Sequence, residues 1–169
     1  GDNEQARILH RQALELRRQS LGNVSRPVAA SLTSLGVNYM YQGFPDSAVI
    51  YLNEAEAIRG QLPETPPLER AGGLSNLASA YQGIGDFAGA DSLFAVTAEI
   101  IRENAPPGHP SLATLLNNWG ILNYHMEKYE AARDHLQESR DIYESTLGAD
   151  HPHTVNAAGN LGAVLKKLE

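Results

Sequence analysis

Asn76-Leu77-Ala78-Ser79-Ala80-Tyr81-Gln82-Gly83-Ile84-Gly85-Asp86-Phe87-Ala88-Gly89-Ala90 carries the end of one helix, a turn, and the start of a second helix. Upstream, Leu74, Leu77, Ala78 and Tyr81 stand at i, i+3, i+4 and i+7, which is one face of an α-helix. Gly83 and Gly85 break that pattern around Asp86, as a helix stop and restart requires. Phe87, Ala90, Phe94, Thr97 and Ile101 then resume it in steps of three and four.

The same paragraph of sequence recurs along the chain. Ala6, Ala48, Ala90 and Ala132 are spaced by 42 (48 − 6 = 90 − 48 = 132 − 90), and so are Leu35, Leu77, Trp119 and Leu161. Leu16, Ile58, Ile100 and Ile142 form another such column, and Asn76, Asn118 and Asn160 a further one. His109-Pro110 returns as His151-Pro152. A period in the range of about 20–50 residues signals an array, because one supersecondary unit buries its apolar face on copies of itself. Each period reads as two helices, with Pro27, Pro63 to Pro67, Pro106 to Pro110 and Pro152 in the connectors. Proline suits the first turn of a helix, where its missing N–H costs nothing, and disfavours helix just before itself. The phase predicts eight helices: a second-type helix over about Asn3 to Ser20, three complete pairs, and a first-type helix over about His153 to Glu169.

Composition narrows the function classes. The formal charge is −7 and the pI near 5.3, with no basic stripe to displace counterions from nucleic acid, so no nucleic-acid partner is expected. No apolar run approaches the ~18 residues of a membrane span, and no signal peptide is expected. With no cysteine, disulfides, thiolate zinc sites and cysteine nucleophiles are excluded. The chain opens at Gly1 and not at Met, and reads as a piece of something longer.

With the columns placed, the chain resembles the tetratricopeptide repeats. The motif is carried by Asn76 to Tyr81, Gly85-Asp86-Phe87, Ala90, Phe94 and Ile100, and again by Asn118-Trp119-Gly120, Tyr129, Ala132 and Leu136. Leu35-Gly36, Tyr39, Gly43, Ala48, Leu52 and Ala55 carry it more weakly, with Pro45 in the place of the aromatic. The 42-residue period with its Leu-Gly and His-Pro connector looks like the kinesin-light-chain type, which also occurs in bacterial multi-domain proteins. The resemblance implies an all-α fold, a right-handed α-solenoid (superhelix) of antiparallel helix hairpins. It implies a single array over 1–169: a truncated repeat's second helix (1–26), repeats 27–67, 68–109 and 110–151, and a first helix (152–169).

The resemblance further implies a non-enzymatic scaffold that binds an extended peptide or partner helix in a concave groove lined by first helices. Its register assigns Thr33, Val37 and Tyr41 to that groove, then Ser75, Asn76, Ser79 and Gln82. It adds Asn117, Asn118, Ile121, Tyr124 and His125, and finally Asn156 and Asn160. An amide offers both a donor and an acceptor, which suits a peptide group; bonding within or between helices is the competing use of these asparagines. Basic residues are scarce in that register before Lys166 and Lys167, so a neutral, polar and aromatic groove is expected in place of a carboxylate clamp.

No catalytic residue, cofactor or metal ligand set is assigned. Gly83-Ile84-Gly85 follows no strand and lacks the spacing of a phosphate loop, so it makes a turn. Asp150-His151-Pro152-His153 gathers possible ligands but not the three or four that zinc needs, and helix-start roles are expected. His10 and His135 read as packing residues. Two alternatives stand beside the scaffold reading. One is self-association through the uncapped terminal helices, with Leu161 and Val164 on the apolar face of the last. The other is a regulatory appendage of a larger protein, such as a kinase or transcription regulator.

Overall fold

The computed structural model describes the backbone of residues 2–169; Gly1 and the side chains of residues 2–4 and Ala6 lie outside the described residues, so the first member of the alanine column is not among them. Among the described residues eight helices follow one another: α1 Asp2–Leu21, α2 Arg26–Tyr41, α3 Pro45–Gly60, α4 Pro67–Gly83, α5 Phe87–Asn104, α6 Pro110–His125, α7 Tyr129–Leu147 and α8 Pro152–Leu168. No strand occurs among the described residues. The chain divides into two compact units, Gly1–Ala90 and Asp91–Glu169, with the border inside the first turn of α5.

Proline stands in the first turn of α2, α3, α4, α6 and α8. Pro45, which replaces the expected aromatic, is thus a helix starter, and Phe44 beside it lies edge-on to the Tyr39 ring at 6.5 Å. The two His-Pro dipeptides are N-caps. His109 Nδ1 accepts from Ser111 N–H, and His151 Nδ1 accepts from His153 N–H, each at 3.2 Å.

The hairpin turns share one geometry. After α2, Gly43 N–H donates to Met40 C=O (3.0 Å) and Phe44 N–H to Tyr39 C=O (2.9 Å), with Gly43 at φ +78°. This is the Schellman arrangement, in which a left-handed residue closes the helix. It repeats 42 residues on at Gly85 (φ +83°) and again at Glu127 (φ +58°), where Lys128 N–H donates to Asn123 C=O at 2.9 Å. Glu127 is the one non-glycine residue with positive φ among those described.

In the first unit, α2 packs against α1, α3 and α4. Its core gathers Leu14 of α1, Val28, Ala29, Leu32 and Leu35 of α2, and Ala55 and Ile58 of α3. A glycine sets the approach of α2 to α3: a Cβ on Gly36 would stand 2.5 Å from Leu52 Cγ and 3.3 Å from the Ala48 carbonyl oxygen. In the second unit α6 and α7 repeat the device, with a Cβ on Gly120 falling 2.5 Å from Leu136 Cγ and 3.3 Å from Ala132 O. The small alanine column and the glycine therefore belong to one seat, into which the leucine of the second-type helix closes.

α8 lies on α7. Leu161 and Val164 are buried with Ala132 and Leu136, and Ala157 is fully buried. This corrects the expectation that Leu161 and Val164 form a free apolar face: α7 already occupies it. The exposed large apolar side chains of α8 are Val155, Leu165 and Leu168.

Candidate functional site

The residues assigned to the groove lie on α2 and α4 in the first unit and on α6 and α8 in the second. Within each unit the two first-type helices touch. All fourteen are exposed or half-buried.

In the first unit, Thr33 is already engaged. Its hydroxyl donates to Ala29 C=O and accepts from Arg59 Nη2, both at 3.0 Å. Ser79 Oγ donates back to Ser75 C=O at 3.1 Å. Val37 is half-buried, Gln82 likewise, and Tyr41 is 83% exposed at the end of α2. Asn76 is half-buried, and no side-chain hydrogen bond among the described residues uses its amide.

In the second unit, Asn160 Nδ2 lies 3.0 Å from Asn117 Oδ1 on α6 and 3.2 Å from Asn156 Oδ1 on its own helix. These three amides are tied to one another, the competing use considered for them. Asn118 is half-buried with no side-chain partner among the described residues, like its register mate Asn76. The Tyr124 ring meets Tyr129 edge-on at 5.7 Å and His125 at 6.0 Å, and rests on the Leu136–Leu161 cluster. Ile121 is half-buried one turn before it, and His125 is exposed.

Beside Thr33 the structure holds a group of charges that the sequence reading missed. Arg59, at the end of α3, is buried to 4% side-chain exposure; its Nη1 pairs with Glu56 Oε1 at 2.6 Å, and its Nε lies 3.7 Å from Glu69 Oε1 on α4. Glu69 in turn pairs with Arg26 of α2. Arg26, Pro27, Ala30, Thr33, Arg59 and Glu69 line a cleft of about 630 Å³. Burial raises the Glu56 carboxyl above its ordinary range, and the Arg59 pairing opposes this only in part. Gly73 makes room for the pair, since a Cβ there would fall 2.0 Å from Glu56 Oε1. The mid-helix Gly72-Gly73 was the available sequence signal, because glycine is costly inside a helix without a packing reason.

A second polar cluster lies on the first-type helix of the other unit. Trp119 Nε1 donates to Asp91 Oδ1 at 2.6 Å, and Lys128 Nζ pairs with Asp91 Oδ2 at 2.9 Å. Burial pushes the Asp91 carboxyl up, but the bonds from Trp119 and Lys128 outweigh it and hold the group below its ordinary value. Trp119 stacks on His135 at 4.0 Å, whose Nδ1 is 3.2 Å from Asn123 Nδ2. Burial lowers the His135 pKa from its ordinary value. His135 is thus a packing residue, as read from its column.

The sequence matches the tetratricopeptide repeat family over residues 1–61, 69–145 and 111–169. The chain belongs to that family. Among solved structures it is similar to BtubC (BKLC) from P. vanneervenii, with TM-score 0.81 and 19% identity over 99% of this chain and 67% of that one. It is also similar to a kinesin-light-chain-type protein of Podosopora anserina with nearly identical TPR-like repeats, with TM-score 0.80 and 21% identity over 97% of this chain and 78% of that one. The apo form of RapI aligns with TM-score 0.78 and 19% identity over 94% of this chain and 55% of that one. No curated protein matches the sequence. At these identities the structural likenesses establish the fold, that of the tetratricopeptide-repeat solenoids. Repeats of this family generally mediate protein–protein interaction and are typically non-catalytic scaffolds.

Proposed function

We propose that this chain is a non-enzymatic interaction module, one array of repeats, that holds an extended peptide or partner helix on the exposed faces of its first-type helices. The observation that carries the reading is the pair of amides at one register position, Asn76 on α4 and Asn118 on α6, half-buried and free of internal side-chain bonds. Helix interiors disfavour asparagine, because its side chain competes for the backbone. Retaining one there with neither amide group used supports a role toward a group outside the chain. Val37, Ser79 and Ile121 occupy one column of the first-type helices, so an apolar residue shares the exposed face in each unit. Arg59 and Arg26 are consumed by Glu56 and Glu69, so the ligand favoured is neutral and polar, not acidic.

The test is a display library of random peptides selected on the wild-type chain and on the Asn76→Ala/Asn118→Ala variant. Both asparagines are half-buried without side-chain bonds, so helicity should be retained. Peptides enriched on the wild type should bind the variant about fivefold or more weakly, since each lost hydrogen bond contributes ~0.5–1.5 kcal/mol. Equal affinity for both proteins would refute the groove assignment. A second reading, self-association through the terminal helices, is favoured by the exposed Val155 and Leu165 of α8 and Leu9 and Leu16 of α1.

A further inference from the structure

Glu56 is a carboxyl buried with much of its hydrogen bonding unmet. Its side chain, on α3 one turn before Arg59, is 11% exposed. Oε1 accepts from Arg59 Nη1 at 2.6 Å, whereas Oε2 is buried with no hydrogen-bond partner among the described residues. An ionised carboxylate has about four lone-pair sites, and it keeps its charge in an interior when several of them are used. The space is nevertheless reserved for this group. A Cβ on Gly73 of α4 would fall 2.0 Å from Oε1 and 3.0 Å from Cδ. A proton placed on Oε2 breaks no existing bond. Burial pushes the carboxyl up from its ordinary value, and repulsion from Glu69 adds to this, against the opposing pull of Arg59 and Arg70.

Arg59 has a second carboxyl within reach. Its Nε is buried without a hydrogen bond and lies 3.7 Å from Glu69 Oε1, beyond bonding distance. Glu69 Oε2 is taken by Arg26 of α2, but Oε1 accepts no hydrogen bond among the described residues. The guanidinium is therefore held between two acids, close to one and apart from the other. Around Glu56, α3 supplies Arg59, α4 supplies Glu69 and Arg70, and α2 supplies Arg26 through Glu69. Arg18 of α1 is occupied by Glu54. The same guanidinium reaches the groove, since Nη2 donates to Thr33 Oγ1 at 3.0 Å. The Thr33 hydroxyl proton is committed to Ala29 C=O, so what Thr33 can offer a ligand is its oxygen, and Arg59 bonds it.

We propose that Glu56 is a proton-operated switch: a proton taken up at Oε2 loosens the Glu56–Arg59 pair, the guanidinium closes on Glu69, and Thr33 is released. Charge-assisted hydrogen bonds are about twice as strong as neutral ones, so a neutral Glu56 loses the competition with an ionised Glu69. Thr33, Arg59 and Glu69 line one cleft, which then presents an open acceptor to an entering N–H or O–H in acid and an occupied one at neutral pH. The switch belongs to the fold of the first unit and does not depend on the peptide-groove reading.

A carbon-detected NMR titration of the labelled full chain, following the Glu56 carboxyl and the Thr33 methyl, tests it. The two signals should move with one midpoint, above the ordinary glutamate value of 4.5. In Glu56→Gln the Thr33 methyl should show no step and should hold the acid-end position of the wild-type curve at every pH. In Glu69→Gln the Glu56 step should remain, with its midpoint lowered because the repulsion from Glu69 is gone, while Thr33 no longer follows it. Glu69 is only part-buried and Arg59 keeps Glu56, so this second variant should retain its helicity by circular dichroism. A wild-type Glu56 midpoint at or below 4.5 overturns the switch. So does a Thr33 step that survives Glu56→Gln, and one that survives Glu69→Gln overturns the hand-over between the two acids. No peptide enters the titration, so each of these failures leaves the groove reading to its own test.

Discussion

Replacing glycine by alanine at positions of identical register should have opposite effects in α6 and α8. At Gly120 the new methyl would stand 2.5 Å from Leu136 Cγ and 3.0 Å from its Cδ2, with the Ala132 carbonyl at 3.3 Å behind. Leu136 is 1% exposed and has no free direction in which to retreat, so α6 and α7 must separate. Overpacking of this sort costs about 1–3 kcal/mol. Alanine returns ~0.5–1 kcal/mol through better helix propensity and a less mobile unfolded chain. The net expectation for Gly120→Ala is a loss of about 0–2.5 kcal/mol. At Gly162 the methyl meets nothing within 4 Å, so only the gain of ~0.5–1 kcal/mol remains. Urea denaturation followed by helical circular dichroism at low protein concentration measures both, with Gly36→Ala expected to behave like Gly120→Ala. Should Gly120→Ala stabilise the chain as much as Gly162→Ala does, glycine is not what sets the α6–α7 approach, and the packing account of this column is wrong.

Glu127 holds a left-handed conformation that costs an L-residue roughly 1–2 kcal/mol, and its register mates are glycines. Glu127→Gly should therefore stabilise the chain by about 1 kcal/mol, raising the thermal midpoint by ~2–4 °C; an unchanged midpoint would contradict the strain argument. Arg59→Ala should cost about 3–5 kcal/mol, because it leaves Glu56 buried without its partner; an effect typical of a surface residue in denaturant melts would show that the network is dispensable. His135 has a folded pKa below its unfolded one, so the neutral ring is favoured in the fold. Its contribution is complete above the unfolded value of about 6.5 and declines as pH falls from there toward the folded pKa. His135→Phe should flatten that part of the stability–pH curve relative to wild type, and superimposable curves would rule out His135 as the source.

The fold was legible because its determinants are periodic. Ala48, Ala90 and Ala132 mark the helix contacts, the prolines mark helix starts, and Gly43 and Gly85 mark turns that close with a left-handed residue. Each is a local rule that acts at the same phase in every repeat. The turn at Glu127 shows how strongly the phase constrains the chain, since the backbone keeps its path without the glycine. The candidate site was legible only as a set of positions. Register told which residues avoid the core, but not that Thr33 would be taken by Arg59, or that Asn160 would bond to Asn117 while Asn76 and Asn118 stayed free. Those outcomes depend on reach: Arg59 comes from a second-type helix 26 residues away in sequence, and no single-helix pattern encodes where a long side chain ends. The same limit produced the misreading of Leu161 and Val164. An apolar stripe on the last helix has two possible neighbours, and only the packing on α7 shows which residues face it.

The stacking of Trp119 on His135 has an optical consequence. Trp119 is the single tryptophan in the chain, and it belongs to the second unit, so indole fluorescence reports on that unit alone. Its emission should respond to loss of the Asp91 bond and of the imidazole contact, while whole-chain ellipticity follows all eight helices. In repeat proteins cooperativity between neighbours is a measurable quantity, not a given. Coincident or separated transitions from the two signals would thus read out, without any added label, whether the two halves unfold as one.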